Sequence, residues 1–505
     1  MKTWLKNMTP AICILALVFL YNFLTYFNHS VVGGMDVLNN SDSMYLPSLF
    51  QDLIINDGVY KNWYLTPAPY FFPDMALYFA VSLINSKVYI SNYLFFNVQL
   101  LVLFIFIYKI NEFHFKKERA AIYAAISISL LFCIEAPAAP YLIRSGHHFG
   151  VLLSAIVLLF LMLKAFKQKK MSFLNCILIL IISVLTVASD KLYLVQAIAP
   201  IIGALFLLLI IRAVPVKLVL QITAVLCFSV ILGYLLHDVL VLNETQYPIS
   251  FSFENIELNW TVLTSNVVDT LSKNWLVSIY ILLFYLVTIV ALTYRLLCRQ
   301  IVSNPMSSFV MLFVMGSVGL MFGVMLPSSL AMMNRYLMPF YFLPLIFFPL
   351  LMNIFGGLKN NNLFYYLKIV GIFLLLLLVN VNAVKGFKYK EEYYPGYIEC
   401  IDKFVKRLNA NSGIGNYWQS KSLNMLSKVD LNIVQVTDNF SEYNWITTSS
   451  WREQTYRLLI VNNGIKPEIQ PNPERLKKQF GIEPQLSTQC GRYELFFYFD
   501  GFTLL

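Results

Sequence analysis

Continuous apolar segments recur from residue 9 to residue 384 and constrain the fold of this chain more than any other feature. Of the 505 residues, 58% are hydrophobic and only 13% are charged. Soluble domains carry about a quarter charged residues, so this composition argues against a soluble fold. The apolar runs are unbroken, whereas the strands of a transmembrane barrel alternate in short segments. The pattern predicts a polytopic α-helical membrane protein.

The apolar segments predict about eleven to twelve transmembrane helices, because a span needs roughly 20 apolar residues. The candidate full spans are Thr9–Phe27, Asn92–Tyr108, Ala120–Ala136, Phe149–Leu163, Leu174–Ala188, Leu192–Ile211, Leu218–Leu236, Leu276–Leu297, Ser308–Leu326, Leu337–Met352 and Leu363–Val384. One more run, Tyr70–Ile84, is short, contains Pro73 and Asp74, and is rich in aromatic residues. These features are typical of a juxtamembrane helix in the headgroup zone.

Basic residues cluster in short connectors such as Lys109–Arg119 and Lys164–Lys170, and the formal net charge is +10. Positive charge in alternate connectors marks the cytoplasmic side, so it sets orientation and predicts no nucleic-acid partner. The first loop, 28–69, is acidic and is therefore placed outside. An odd number of crossings must separate it from Lys109–Arg119. This requirement predicts that Tyr70–Ile84 lies at the interface and does not span.

The resulting topology places the N-terminus in the cytoplasm and the C-terminus outside. The outer segments collect most of the unusual polar residues. They are 28–69, Pro137–His148, Ser189–Lys191, His237–Asn274, Pro327–Tyr336 and everything after Val384. Abundant Phe, Ile, Asn and Lys favour a bacterial source, so we predict an inner (plasma) membrane protein.

The composition changes after Val384 and predicts two domains, a membrane domain over 1–384 and a small extracytoplasmic α/β domain over 385–505. In the second domain a helix is predicted over Lys388–Asn409. The predicted strands and turns are Leu431–Val436, Tyr456–Val461 and Tyr493–Phe499, with turns at Gly413, Gly415, Gly464 and Gly481. Such a domain is typically accessory. Its Cys400 and Cys490 can pair in an oxidising compartment, and the sequence leaves this open.

Asp42 is the first candidate for a chemical role. It lies just before a helix predicted to run from Met44 into Gln51-Asp52, so either Ser41 or Asp42 would make a suitable helix cap. The alternative is a general base, because a carboxylate beside the membrane can take a proton from an acceptor hydroxyl or amine. Tyr45, one turn on, could orient Asp42 or bind the substrate. Asp36 is the reserve carboxylate.

Three polar residues open the span at Phe149. They are Arg144, His147 and His148, of which the two histidines could bind a metal or a phosphate, or be merely interfacial polar residues. Adjacent histidines point in different directions on a helix, so at most one is expected to be a direct ligand.

Cations also stand at two other outer turns. Lys191 follows Asp190, and either the two form a salt bridge or Lys191 faces a lipid phosphate. Arg335 and Tyr336 open the span at Leu337, where an arginine can grip a phosphate bidentately or extend toward lipid headgroups.

Three short motifs bring a family resemblance. Asp42–Tyr45 is similar to an acidic Asp-x-x-Tyr element, Thr66–Phe71 to a proline-rich start of a juxtamembrane helix, and Asn334–Pro339 to an Arg-Tyr-x-x-x-Pro start of a late span. In this order and on one face, they resemble the GT-C superfamily of integral-membrane glycosyltransferases. The likeness is strongest to its protein-mannosyltransferase and aminoarabinose-transferase-like branch, and it covers most of 1–384.

The resemblance implies a polyprenyl-phosphate-linked sugar donor, an active site at the outer face, and Asp42 as the catalytic carboxylate. The expected partners are this donor, membrane lipid, and a glycan, lipid or protein acceptor. Substrate binding is expected from Tyr45, Arg144, His147, His148, Lys191, Arg335 and Tyr336. No cofactor is required, and a divalent metal stays an open alternative, since His147-His148 stands where many relatives have an acid.

Two alternatives stay open. A transporter or flippase of lipid-linked sugars would place polar residues in mid-span, whereas these spans are almost free of charge. A polysaccharide polymerase would more typically use arginine-rich outer loops, whereas these loops are acidic.

Overall fold

The structure is a computed structural model that describes residues 2–135, 137–243, 245, 249–298, 300–301, 304–355, 362–453 and 455–504. The chain is mostly helical. In chain order, the α-helices are α1 (Lys2–Phe27), α2 (Met35–Leu38), α3 (Tyr45–Phe50), α4 (Ala76–Ile84), α5 (Val88–Asn111), α6 (Lys117–Leu131), α7 (Phe149–Gln168), α8 (Phe173–Ser189), α9 (Ala199–Ile210), α10 (Val216–Leu240), α11 (Glu254–Ser272), α12 (Trp275–Leu297), α13 (Pro305–Met325), α14 (Met338–Ile346), α15 (Phe348–Phe355), α16 (Asn362–Lys385), α17 (Gly396–Leu408), α18 (Tyr417–Leu426) and α19 (Pro473–Phe480).

The strands are short and belong mainly to the C-terminal part. They are β1 (Trp63–Tyr64), β2 (Ser412–Gly415), β3 (Asn432–Gln435), β4 (Thr447–Thr448), β5 (Tyr456–Asn462), β6 (Leu486–Cys490) and β7 (Tyr493–Phe502).

Six helices in the described part of the chain are long and apolar enough to cross a membrane, namely α1, α5, α7, α10, α12 and α13. Their outward surfaces are apolar as well. On α12, for example, Leu282, Leu286 and Val290 are 56%, 57% and 58% exposed. These features are those of a membrane-embedded helical protein, as the sequence predicts.

Two predicted spans differ from the observed helices. The run Leu337–Met352 is divided at Phe347 into α14 and α15, because proline residues remove backbone donors there and Pro344 lies inside α14. The run Ala120–Ala136 stops as α6 at Leu131, and Ala136 itself lies outside the described residues.

Helix α11 was not predicted, because its region was assigned to an outer loop. It fixes the segment that leads to Arg335. The Asn259 amide donates to the carbonyls of Met325 and Ser328 at 3.2 and 2.8 Å. The Asn334 amide donates to the Asn266 side chain at 3.1 Å, next to Arg335.

The C-terminal domain contains a five-stranded sheet in the order β3-β2-β5-β7-β6, parallel across the first three strands and antiparallel across the others. A disulfide joins Cys400 on α17 to Cys490 on β6. The predicted helix Lys388–Asn409 begins only at Gly396, after Pro395. The turns predicted at Gly413 and Gly415 are wrong, since both glycines lie in β2. A Cβ at Gly413 would come within 2.7 Å of Leu458, so glycine serves close packing there.

Outside the Asp42 cluster, the first loop also contacts the C-terminal domain at β1 and at Asp36. Strand β1 pairs antiparallel with β4. Asp36 accepts hydrogen bonds from the hydroxyls of Tyr393 and Tyr397, and its carboxylate lies 3.4 Å from Arg492. The reserve carboxylate of the sequence analysis is therefore a docking residue.

The labelling of residues on either side of α5 tests the interfacial position of Phe71–Ile84. At about 1.5 Å per residue this segment is roughly 21 Å long, shorter than a hydrocarbon core of about 30 Å. We expect Ser86→Cys to react with an impermeant maleimide from outside and Lys117→Cys to react only from the cytosolic side. The parent chain controls for its own exposed thiols. Labelling of both positions from the cytosol would contradict the prediction.

Candidate active site

The carboxylate of Asp42 lies at the meeting point of three chain segments. Its Oδ1 accepts a hydrogen bond from the Tyr417 hydroxyl of α18. Its Oδ2 lies 4.0 Å from His147 Nε2 and 4.0 Å from Arg335 Nη1. The side chain is 19% exposed, so it is held by the protein and still reachable from solvent. The structure thus brings together residues that are far apart in sequence.

The helix-cap interpretation of Ser41 and Asp42 is wrong. Helix α3 begins at Tyr45 with Met44 at its N-cap, and no side chain caps it. The Ser41 hydroxyl instead donates to the Tyr417 carbonyl at 2.5 Å. Because Asp42 does not serve the helix end, its carboxylate must be explained by its neighbours across the site.

His147 presents a hydrogen-bond acceptor to Asp42. Its Nδ1 lies 2.8 Å from the Ser145 carbonyl and must be the protonated nitrogen, so Nε2 carries a lone pair. Burial, with help from Arg144, lowers the pKa of His147 to about 3, although Asp42 opposes the shift. Nε2 has no hydrogen-bond partner among the described residues. Two acceptors facing each other across 4.0 Å suit a group that brings its own proton, such as a hydroxyl or amine.

His148 points elsewhere and is part of the scaffold. Its backbone φ is 67°, and its ring bonds to different partners from the ring of His147. Its Nδ1 bonds to the Asp190 carboxylate, and its Nε2 lies 3.2 Å from the Tyr70 hydroxyl. All three side chains are buried. These hydrogen bonds hold the turn before α7 against the turn after α8.

Two guanidinium groups flank the carboxylate. Arg335 donates to the Tyr336 hydroxyl at 3.2 Å and lies 5.0 Å from the centre of that ring. Arg144 lies 5.2 Å from the Tyr141 ring, and burial lowers its pKa while Asp42 opposes the shift. The Nε of each arginine lacks a partner among the described residues. With two cations against one carboxylate, the site carries surplus positive charge and donors for an anion.

Two other predicted residues are engaged outside this cluster. The Tyr45 hydroxyl donates to the Pro69 carbonyl at 3.1 Å and the residue is buried, so it supports the loop instead of offering a hydroxyl to substrate. The Asp190 carboxylate is occupied by His148 and by the Leu192 amide at 3.0 Å. The Lys191 ammonium lies 5.7 Å from the Tyr234 ring, on the side of α10.

Sequence reasoning missed Tyr417 and Lys421, which come from the domain taken to be accessory. Lys421 is fully buried, donates to the Gln435 side chain at 2.8 Å, and lies 4.4 Å from the centre of the Tyr417 ring. Burial lowers the pKa of Lys421 to about 7, although Asp42 opposes the shift. Their spacing of four on a helix puts both side chains on one face, but nothing local indicates which partner that face meets.

The donor set does not fit a protein-bound divalent metal. No group of three or more histidine, cysteine or acidic residues converges anywhere in the described ranges. At the site, Asp42 and His147 would be the two ligands, and the Arg335 guanidinium lies 4.0 Å from the same Asp42 oxygen. A cation there would meet electrostatic repulsion from the guanidinium, so the site suits a metal ion poorly.

An apolar pocket lies beside the cluster, between the ends of α1, α5 and α6. It is small, with a cavity volume of about 30 Å³, and its lining includes Tyr21, Asn22, Thr25, Phe96, Phe132 and Ile143. A smaller neighbouring pocket shares Tyr26 and Ile143 with it and is also lined by Arg144. The apolar pocket therefore borders the small pocket that Arg144 lines.

Comparisons with known proteins identify no family. No protein-family model matches this chain, and no curated protein matches it.

Removal of the Asp190 charge tests the scaffold role of His148. A hydrogen bond to a charged group contributes about 1.5–3 kcal/mol, so Asp190→Asn should lower the thermal unfolding temperature of the purified protein. Asp430→Asn, which changes an exposed carboxylate, should cost about 0.5 kcal/mol or less. Equal melting of the Asp190 variant and the parent would contradict the role.

Proposed function

We propose that this protein is a glycosyltransferase that moves a sugar from a polyprenyl-phosphate-linked donor to a hydroxyl or amine acceptor, with Asp42 as the general base. One observation carries the proposal. The same Asp42 oxygen lies 4.0 Å from a neutral histidine nitrogen and 4.0 Å from a guanidinium nitrogen. A proton acceptor and an anion binder thus meet at one point, as displacement of a phosphate by a hydroxyl requires.

In the proposed reaction the acceptor oxygen or nitrogen attacks the anomeric carbon of the sugar. The bond between that carbon and the phosphate oxygen breaks, and polyprenyl phosphate leaves with the bonding electrons. The acceptor proton passes to the Asp42 carboxylate. His147 Nε2, which is unprotonated, accepts a hydrogen bond from a second N–H or O–H of the acceptor and so orients it. No nucleotide takes part.

The leaving phosphate gains negative charge, which Arg335 and Arg144 are placed to neutralise. Each has an Nε–H without a partner among the described residues, so both can bind phosphate oxygens without first breaking a hydrogen bond at that nitrogen. In this proposal the polyprenyl chain lies along the apolar lining beside α1, where the cavity of about 30 Å³ must widen to admit it, and Arg144 lines the adjoining space.

The proposed membrane arrangement follows the charge pattern. Residues 1–384 form a GT-C-like membrane domain with about eleven spans, including helices other than the six that are long and apolar enough by themselves. The N-terminus lies in the cytoplasm, and the Asp42 cluster and the C-terminal domain lie outside. In a bacterium this is the periplasmic or external face of the inner (plasma) membrane.

Asp42→Asn tests the base. The amide keeps the shape and can still accept the Tyr417 hydrogen bond, but it cannot take a proton. Loss of a general base costs about 10²–10⁴-fold in rate, so transfer from a polyprenyl-phosphate sugar by the purified protein should fall by that factor. The melting temperature should change little. Asp57→Asn, an exposed carboxylate of the same loop, is the matched control and should keep full activity. Near-normal turnover of Asp42→Asn would show that Asp42 is not the general base.

Arg335→Met tests the anion binder. Removal of one preorganised donor from a developing anion costs about 10²–10³-fold in kcat, so this variant should lose activity on that scale. Arg335→Lys keeps the positive charge but lacks the bidentate donors of a guanidinium, so it should recover part of the lost activity. Arg407→Met, an exposed arginine of α17, serves as control. If Arg335→Met transferred sugar as fast as the control, phosphate recognition would lie elsewhere.

A further inference from the structure

We propose that helix α18 of the C-terminal domain is part of the active site, with Tyr417 and Lys421 as positioning residues for Asp42. The inference rests on the proposed function, because it concerns how the proposed base is held. It changes the expected role of the C-terminal domain, from an accessory unit to one wall of the site.

The first argument is the set of bonds that joins α18 to the turn around Asp42. The Tyr417 hydroxyl bonds to Asp42 Oδ1, and the Ser41 hydroxyl donates to the Tyr417 carbonyl at 2.5 Å. The Ser422 hydroxyl donates to the Asn39 carbonyl at 2.6 Å. These bonds fix the turn in position and in rotation. They occupy one carboxylate oxygen and leave Oδ2 directed at His147 and Arg335.

The second argument is the rigidity of Tyr417. Its ring centre lies 5.0 Å from that of Trp418 and 5.5 Å from that of Tyr443, and the residue is buried. A hydroxyl held in this way returns to the same place after each turnover. A base oriented by a fixed donor does not have to be reoriented during the reaction.

The third argument is the charge placed behind the Tyr417 ring. A buried lysine is costly, and an apolar side chain would fill the same space at lower cost. Lys421 is instead kept in place by the Gln435 side chain, which is itself fixed by bonds of 2.6 Å to the carbonyls of Tyr443 and Trp445. An ammonium 4.4 Å from a phenol ring centre makes the phenol hydroxyl a stronger donor to a carboxylate.

The domain has other attachments, so Tyr417 is not needed to hold it in place. The pairing of β1 with β4 and the Asp36 cluster both lie outside this contact. The Asp36 cluster also supplies a matched control. Tyr393 donates to Asp36 as Tyr417 donates to Asp42, across the same boundary between loop and domain.

The test compares Tyr417→Phe with Tyr393→Phe. Loss of a partner that orients a metal ligand typically costs about 10–100-fold, and we expect a similar scale for a partner that orients a base, so Tyr417→Phe should lower kcat by about that factor with KM for the donor unchanged. Tyr393→Phe should stay within about twofold of the parent. Hydrogen exchange gives a readout without substrate, in which Tyr417→Phe alone should speed exchange of residues 39–44. Parental kcat and parental exchange in Tyr417→Phe would overturn the inference, as would equal losses in both variants.

A pH profile separates the role of Lys421 from simple packing. The groups facing its ammonium are Asp42 and Tyr417, which titrate, and the neutral amide of Gln435. Burial lowers the pKa of Lys421 to about 7, so the ammonium is present below that pH and is lost as the pH rises through it. We expect parental kcat to fall above about pH 7. Lys421→Met, neutral at every pH, should be slow throughout and lack this fall. An identical fall in Lys421→Met would overturn the role of Lys421.

Failure of this inference can be distinguished from failure of the proposed function. If Asp42→Asn keeps its activity, the proposed base is wrong. If Asp42→Asn is inactive while Tyr417→Phe has parental kcat and exchange, the base stands and only the role of α18 is wrong.

Discussion

Hydrogen bonding of the backbone in an apolar medium is the constraint on which the rest of this structure depends. A segment inside hydrocarbon must satisfy its N–H and C=O groups internally, so the chain forms helices there and places its polar chemistry at their ends. The turn before α7, the turn after α8 and the segment before α14 are such ends. The first and the third contribute His147 and Arg335 to the neighbourhood of Asp42, and the second contributes Asp190, which holds His148.

The same constraint explains the division of labour among these groups. Inside the protein, an unpaired charge is expensive, so His148 and Asp190 pair and become scaffold. His147 avoids the cost by staying neutral, as its lowered pKa shows. The guanidinium groups of Arg335 and Arg144 keep their charge, and Asp42 offsets only one of them. The surplus positive charge is what a phosphate-bearing substrate would neutralise.

The sequence predicts those features that depend on local pattern. Apolar runs predict the long helices. The acidic first loop and the polar residues at the outer ends of later spans point to Asp42, His147 and Arg335, which the structure brings together. The sequence also predicts the separation of the two adjacent histidines.

Features that depend on tertiary packing were missed. Asp36 and Asp42 look equivalent in one loop, and only the fold assigns Asp36 to Tyr393 and Asp42 to Tyr417. A glycine in the sequence indicates either a turn or a position where a neighbouring strand packs closely against the backbone. The glycines of β2 belong to the second kind, and the sequence alone does not distinguish the two. Lys421 gives no local signal, since its role depends on a loop almost 380 residues earlier in the chain.

A structure of the protein with bound polyprenyl phosphate would test the central claim most directly. The account predicts phosphate oxygens within hydrogen-bond distance of Arg335 and Arg144, near Asp42 Oδ2, with the isoprenoid chain along the apolar lining beside α1 and the pocket there widened. A phosphate bound at another place, such as the Lys191 and Tyr234 side of α10, would contradict it.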